Sequence, residues 1–195
     1  MKATVRILEG KEIADALGEL ARLRITVFAE YPYLYDGDEE YEAEYVREFA
    51  QEPGSVLVAA FDGGRMIGAA TASPMEGQKE EFRRPFRECG YEVSRIFYFG
   101  ESVLLPQYRG QGIGHAFFDY REAAARAAGA VYAAFAAVVR PEDHKARSGG
   151  YRAHDAFWTR RGYAKAPGLV TELAWKDHGE EGETLKPMQY WMRAL

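Results

Sequence analysis

The sequence predicts a single α/β domain built on a mixed, mostly antiparallel sheet flanked by helices. Runs with strand character and runs with helical spacing interleave along the chain instead of segregating into blocks. Two early strand runs are joined by Asp62-Gly63-Gly64-Arg65, whose glycines supply the positive φ angles of a hairpin. A long apolar run, Ile96 to Leu105, leads through a glycine-rich turn straight into a helical pattern.

Taken in order, Thr4 to Leu8 alternates aliphatic or β-branched with polar residues and is closed by Glu9-Gly10, a first strand. Lys11 to about Ala29 places Ile13, Leu17, Leu20, Ile25 and Phe28 near helical spacing and stops before Pro32. A loop rich in aromatics and acids, Tyr31 to Glu40, follows, then a second helical stretch to about Gln51. Ser55 to Phe61 and Met66 to Ser73 form the antiparallel hairpin, and a charged helical insert runs from Glu80 to Cys89. Ile96 to Leu105 has the length and content of a central strand ended by Pro106. A helix from about Gln111 to Ala128 carries Ile113, Phe117, Tyr120, Ala124 and Ala127 on one face, with Gly129 as its terminator. Val131 to Val139 reads as a strand and Arg152 to Arg161 as a short helix. Leu169 to Trp175 and Met188 to Arg193 read as a closing strand pair around the polar excursion Lys176 to Pro187. The expected domain is 1–195, with a core of about 4–175 and the last strand pair as a C-terminal extension.

At 195 residues, 47% hydrophobic and 28% charged, the chain supports one sizeable core. A formal charge of -5 without a basic stripe argues against nucleic acid as a partner. The first residues lack the apolar core of a signal peptide, and no run approaches the roughly 18 apolar residues of a membrane span, so no membrane partner and a cytoplasmic location are expected. Cys89, the only cysteine, has no metal-ligand spacing around it and is expected to pack.

The chemical signal is Arg109-Gly110-Gln111-Gly112-Ile113-Gly114. Three alternate glycines between a strand and a helix let successive backbone N–H groups converge on an anion at the positive end of the helix dipole. A Walker loop would need Lys-Ser or Lys-Thr, which does not follow here. A dinucleotide fingerprint would need Gly-x-Gly-x-x-Gly and an acid about 20 residues on, whereas Ala127 to Val139 contains none.

Leu104-Leu105-Pro106-Gln107-Tyr108 together with that turn resembles the acetyl-CoA motif Gln/Arg-x-x-Gly-x-Gly/Ala of the GNAT superfamily. Ala156-Phe157-Trp158-x-x-x-Gly162-Tyr163 resembles the family's late helix-to-strand signature, and the order of elements is similar over nearly the whole chain. The resemblance implies an N-acetyltransferase that moves an acetyl group directly from acetyl-CoA to an acceptor amine, without a metal. It implies that the amides of 109 to 114 hold the pyrophosphate, that His115 faces phosphate or ribose, and that Val103 and Leu105, flanking Leu104, pair with the pantetheine arm. A homodimer is implied through the C-terminal strand pair. The alternatives left open are a protein or peptide acetyltransferase and a non-catalytic acyl-CoA sensor.

An alkyl ammonium must lose a proton before it can attack a thioester, which calls for a general base. Glu101, two residues before Val103, is the first candidate, against the alternative that it binds the acceptor cation or a neighbouring arginine. The late-helix tyrosine that many relatives use as general acid is replaced here by Trp158, leaving His144, Tyr151 and Tyr163 as substitutes. Tyr31, Tyr33, Tyr35, Asp36 and Asp38 are the candidate acceptor-binding residues, by ring-face attraction and charge for a cationic amine; the alternative for Asp38 is a helix start.

Overall fold

A computed structural model describes residues 3–195. The elements follow as β1 (Thr4–Leu8), α1 (Lys11–Phe28), α2 (Glu39–Gln51), β2 (Val56–Asp62), β3 (Arg65–Pro74) and α3 (Glu80–Glu88). Then come β4 (Ile96–Leu104), α4 (Ile113–Ala127), β5 (Tyr132–Val138), α5 (Asp155–Arg160), β6 (Ala164–Trp175) and β7 (Thr184–Ala194). All seven strands join one sheet in the order β1-β2-β3-β4-β5-β7-β6. Every pairing is antiparallel except β4 with β5, and that parallel ladder covers only Ile96/Tyr132, Phe97/Ala133 and Tyr98/Ala134. Beyond these pairs the two central strands part, so the remainder of β4 has a partner on one side only.

Local chemistry explains the flanking helices. In α1 the buried residues Ala16, Leu20, Leu23 and Arg24 recur at helical spacing, and the helix packs on α2, β3 and β4. Asp38 caps α2, its side chain accepting the Tyr41 N–H at 2.9 Å. Helix α4 packs against β1 to β4 and ends at Gly129, whose φ of +77° is the left-handed conformation a glycine terminator supplies. Fully buried Leu20, Val46, Leu57 and Ile67 share one core with Phe117 of α4, each contributing about 1.5–3 kcal/mol on burial.

Four expectations need correction. In α4 the core face is Ile113, Phe117, Phe118, Arg121 and Ala125, whereas Tyr120 is exposed, its hydroxyl donating to the Val5 carbonyl. Strand β6 begins at Ala164, earlier than expected, because Pro167 and Gly168 are absorbed by an irregularity between Lys165 and Val170. The closing strands are not an extension: β7 lies between β5 and β6, and of the two only β6 keeps a free edge. Cys89 is exposed at the end of α3 instead of packed. Among the described residues no helix is long and apolar enough to cross a membrane, and no cluster of three or more His, Cys, Asp or Glu could hold a metal ion.

Candidate active site

The site is assembled where β4 and β5 diverge. The Leu105 N–H donates to the Ile67 carbonyl at 3.0 Å and the Leu105 carbonyl accepts from Tyr108 N–H, so both backbone groups of Leu105 are used within the chain. With Ala69 opposite Val103, the alternation of an antiparallel ladder turns Val103 and Leu105 toward β3 and turns Ser102 and Leu104 toward the open side. The backbone edge left open is therefore one residue out of step with expectation: Ser102 and the Leu104 N–H, in place of Val103 and Leu105.

Past that edge comes the glycine turn. Gly110 and Gly112 take φ angles of +77° and +86°, and an added Cβ at either would meet nothing within 4 Å. Gly112 caps α4, whose first turn contains no acid. None of the amides from residue 110 to residue 115 has an acceptor among the described residues. Six unengaged N–H groups at a helix start, in open space, form a cradle with the geometry to receive an anion. At its rim, Arg109 Nε donates to the Leu104 carbonyl at 3.2 Å and its Nη1 pairs with Glu30 at 2.9 Å. The His115 ring turns away to Phe157, with Nδ1 3.2 Å from Arg161 Nη1, which leaves only its backbone N–H in the cradle.

On the other side of the edge, two residues of β4, Gly100 and Glu101, stand opposite the single Thr71 of β3. This β-bulge re-aims the strand. Phe97 and Phe99 face the aromatic cluster around Phe118 of α4, and Glu101 would continue that face without the extra residue. The bulge instead turns it toward α1, where Oε2 meets Arg24 Nη1 at 2.6 Å. Gly100 permits this, because a Cβ there would lie 2.5 Å from Thr71 Oγ1. The other Glu101 oxygen has no partner among the described residues.

A sequence profile of the acetyltransferase (GNAT) family matches residues 21–166, a span that contains the divergent strand edge, the bulge and the cradle. The chain belongs to that family. No curated protein matches it. Among solved structures, it is similar to ribosomal-protein-alanine N-acetyltransferase from Brucella melitensis at 14% identity and a TM-score of 0.64, covering 98% of this chain and 99% of that one. It is similar also to yncA from Salmonella typhimurium, solved with its cofactor acetyl-CoA, at 11% identity and TM-score 0.62, covering 100% and 95%. An aminoglycoside 6'-N-acetyltransferase complexed with coenzyme A matches at 17% identity and TM-score 0.59, covering 98% and 96%. These likenesses establish the fold, and the family supplies acetyl-CoA as the acyl donor.

In this acetyltransferase a buried charge cluster lies where Glu101 meets α1. Arg24 is held between Glu42, gripped through Nε, and Glu101. Its guanidinium lies 4.1 Å from the Tyr45 ring centroid. Burial alone would lower the Arg24 pKa, but Glu101, Tyr45 and Glu42 outweigh it and raise it. Around the cluster stand Tyr33, Tyr45 and Tyr98, whose hydroxyls have no hydrogen-bond partner among the described residues. Burial pushes the Tyr33 phenol up to about 12 and raises those of Tyr45 and Tyr98 as well, with Glu101 adding to each. Arg24, Glu42, Tyr45 and Tyr98 were not singled out from sequence. Arg24 did carry a signal: it lies seven residues after Leu17 and four after Leu20, on the apolar stripe of its helix.

The aromatic loop brings several expected residues together and removes others. Tyr31 packs edge-on to Tyr151 at 4.7 Å and against His144 at 5.7 Å, so three candidates from distant segments meet. Tyr33 packs between Phe28 and Trp175. Tyr35 lies beside Glu42; desolvation and that charge raise its phenol. The two acids are engaged elsewhere, which corrects the charge argument built on them: Asp36 pairs with Lys176 at 2.8 Å and His178 at 3.3 Å, and Asp38 is the α2 cap. Arg140 fastens the loop, donating to the carbonyls of Pro32 and Tyr33 while pairing with Asp177 at 2.8 Å.

Tyr163 is also corrected. It is 1% exposed, packed on Phe118 and Phe135, and its hydroxyl donates to Glu122 at 3.1 Å, so it belongs to the core. Trp158 packs on Phe135 and Trp191. His144 is bound into its own turn, Nδ1 accepting the Ala146 N–H at 3.2 Å.

Proposed function

We propose that this acetyltransferase transfers the acetyl group of acetyl-CoA to the primary amine of a small, cationic acceptor seated against Glu101. The observation that carries the reading is the buried Glu42–Arg24–Glu101 cluster, which holds two carboxylates to one guanidinium and so leaves one negative charge uncompensated beside three unpartnered tyrosine hydroxyls. A buried unbalanced charge is costly, and an ammonium entering the site balances it. The tyrosines add hydrogen-bond partners and ring faces for the same cation.

In this reading the amides of residues 110 to 115 hold the pyrophosphate, and Ser102 and Leu104 pair with the pantetheine arm as an added strand. The free oxygen of Glu101 accepts the proton that the amine must lose. The neutral amine nitrogen bonds to the thioester carbonyl carbon, the carbon–sulfur bond breaks, and the nitrogen's second proton restores the phenol that protonates the thiolate, so the products are an N-acetyl amide and the free thiol of coenzyme A. The thiolate takes its proton from Tyr151, which stands against Tyr31 and close to Tyr33 and is not tied up as His144 is. The Ser102 N–H, directed to the open edge, is placed to stabilise the carbonyl oxygen as it gains charge.

The test is release of coenzyme A thiol from acetyl-CoA with a panel of diamines, amino sugars, neutral amines and peptides. Faster turnover per unit concentration with the small cationic amines is expected. Transfer to peptides alone, or donor binding without turnover on any amine, would sink the reading.

A further inference from the structure

The bulge in β4 interrupts the β3–β4 ladder, and a buried arginine attends to what it leaves open. Arg121, two turns into α4 and 1% exposed, donates through Nη1 to the Thr71 carbonyl at 3.3 Å and to the Glu101 carbonyl at 3.4 Å, and through Nε to the Phe117 carbonyl. Its guanidinium lies 4.5 Å from the Phe99 ring centroid and 4.8 Å from that of Phe118, while Nη2 is buried without a partner. No carboxylate pairs with it among the described residues. Burial pushes it down to about 10, which still leaves it cationic at neutral pH. A methionine would fill this space without the desolvation that an unpaired cation suffers. What the charge adds is a field, and outside its own helix, where Nε donates to the Phe117 carbonyl at 3.2 Å, the groups it meets are the two bulge carbonyls.

One of those carbonyls shares a peptide with the proposed acetyl-binding donor. The peptide between Glu101 and Ser102 presents its C=O to Arg121 and its N–H to the open edge between β4 and β5. A cation on the carbonyl end polarises the whole amide and makes its N–H a stronger donor. We infer that Arg121 is a positioning residue that fixes the bulge and polarises the Glu101–Ser102 peptide, strengthening the Ser102 N–H toward the thioester carbonyl oxygen. The inference rests on the proposed function of the open edge. It also makes α4 serve both ends of the donor, with the phosphate cradle at its first residue and the bulge cation two turns later.

Arg121→Met and Arg121→Lys separate field from packing. Arg121→Met should lower kcat about 10- to 100-fold, less than or near the loss of a whole oxyanion donor, with KM for acetyl-CoA changed less than about threefold. Arg121→Lys, which keeps the charge, should recover most of the loss. A readout independent of turnover is the infrared band of a ¹³C-labelled carbonyl in the ketone analogue of acetyl-CoA, in which a methylene replaces sulfur. Bound to the wild type the band should move to lower frequency, and in Arg121→Met most of that movement should vanish. Equal band positions, or equal kcat values, overturn the inference. Should Arg121→Met fail to fold, NMR on the labelled wild type decides: slowly exchanging Arg121 side-chain protons correlated with the Glu101 carbonyl carbon support it, and fast exchange without that correlation overturns it. Failure of the wild type to acetylate any amine would overturn the proposed function, whereas the infrared comparison judges Arg121 separately.

Discussion

Arg24 Nη1 lies 2.6 Å from Glu101 Oε2, and the same guanidinium holds Glu42, so one residue of α1 keeps two buried carboxylates from facing each other. Removing a single partner from such a cluster leaves unpaired buried charge, which costs about 3–5 kcal/mol. Arg24→Met should therefore destabilise the enzyme by that order, and adding Glu42→Gln to it should restore part of the loss. Urea denaturation of the wild type, the single and the double variant tests this; an additive double variant would show that the carboxylates do not repel through the vacated site.

The glycine cradle makes a prediction about affinity. Gly112→Glu sets a negative charge among the six unengaged amides and should weaken coenzyme A binding at least about 100-fold, roughly the contribution of one or two charge-assisted hydrogen bonds. Undiminished binding by calorimetry would refute the phosphate assignment.

Asp36 and Asp38 have partners within the chain, so their charge is not available to an acceptor. Asp36→Asn with Asp38→Asn should leave acceptor KM within about twofold. Asp38→Ala alone should cost about 1 kcal/mol of stability through loss of the α2 cap. A large rise in acceptor KM for the double variant would return these acids to the site.

Arg140 ties Pro32 and Tyr33 to Asp177, and it thereby holds the aromatic loop in place. Lys186 lies 3.5 Å from Asp177 and softens the loss of Arg140, so Arg140→Gln should cost about 2–3 kcal/mol, below the roughly 3–5 kcal/mol of a buried pair broken without such compensation. If the loop positions the acceptor as proposed, the kinetic effect should fall on acceptor KM more than on kcat. A change confined to donor KM would contradict this arrangement.

The Tyr33 phenol gives a pH signature. Unfolded it ionises near 10, and folded near 12. Between those values the unfolded chain has released a proton that the folded one keeps, so the contribution is intact below pH 10 and is lost as pH rises toward 12. The slope attributable to Tyr33 is at most about 1.4 kcal/mol per pH unit. Tyr33→Phe should flatten the stability profile between pH 10 and 11, and an unchanged slope would refute the assignment.

The fold was legible because its signals are local: alternation in Thr4–Leu8, the Asp62-Gly63-Gly64-Arg65 hairpin, and the glycine turn before α4. The strand order was not, because the place of β7 between β5 and β6 depends on pairings between distant segments. The turn that opens α4 was readable from its glycines. The one-residue error along β4 arose because backbone direction depends on the bulge, for which Gly100 inside a strand was the available sign. Asp36 was misread because its lysine lies 140 residues away, and Tyr163 because nothing local reveals that Glu122 receives its hydroxyl.

The brief ladder between β4 and β5 also bears on how the molecule resists unfolding. Three residue pairs and the bond from the Val131 N–H to the Arg95 carbonyl make up the backbone seam between a four-stranded and a three-stranded section, the shortest ladder of the sheet. A donor whose arm lies in that gap lengthens the seam, and the gain in stability grows with the logarithm of donor concentration over its dissociation constant. Proteolysis of the enzyme is accordingly expected to slow as acetyl-CoA is added.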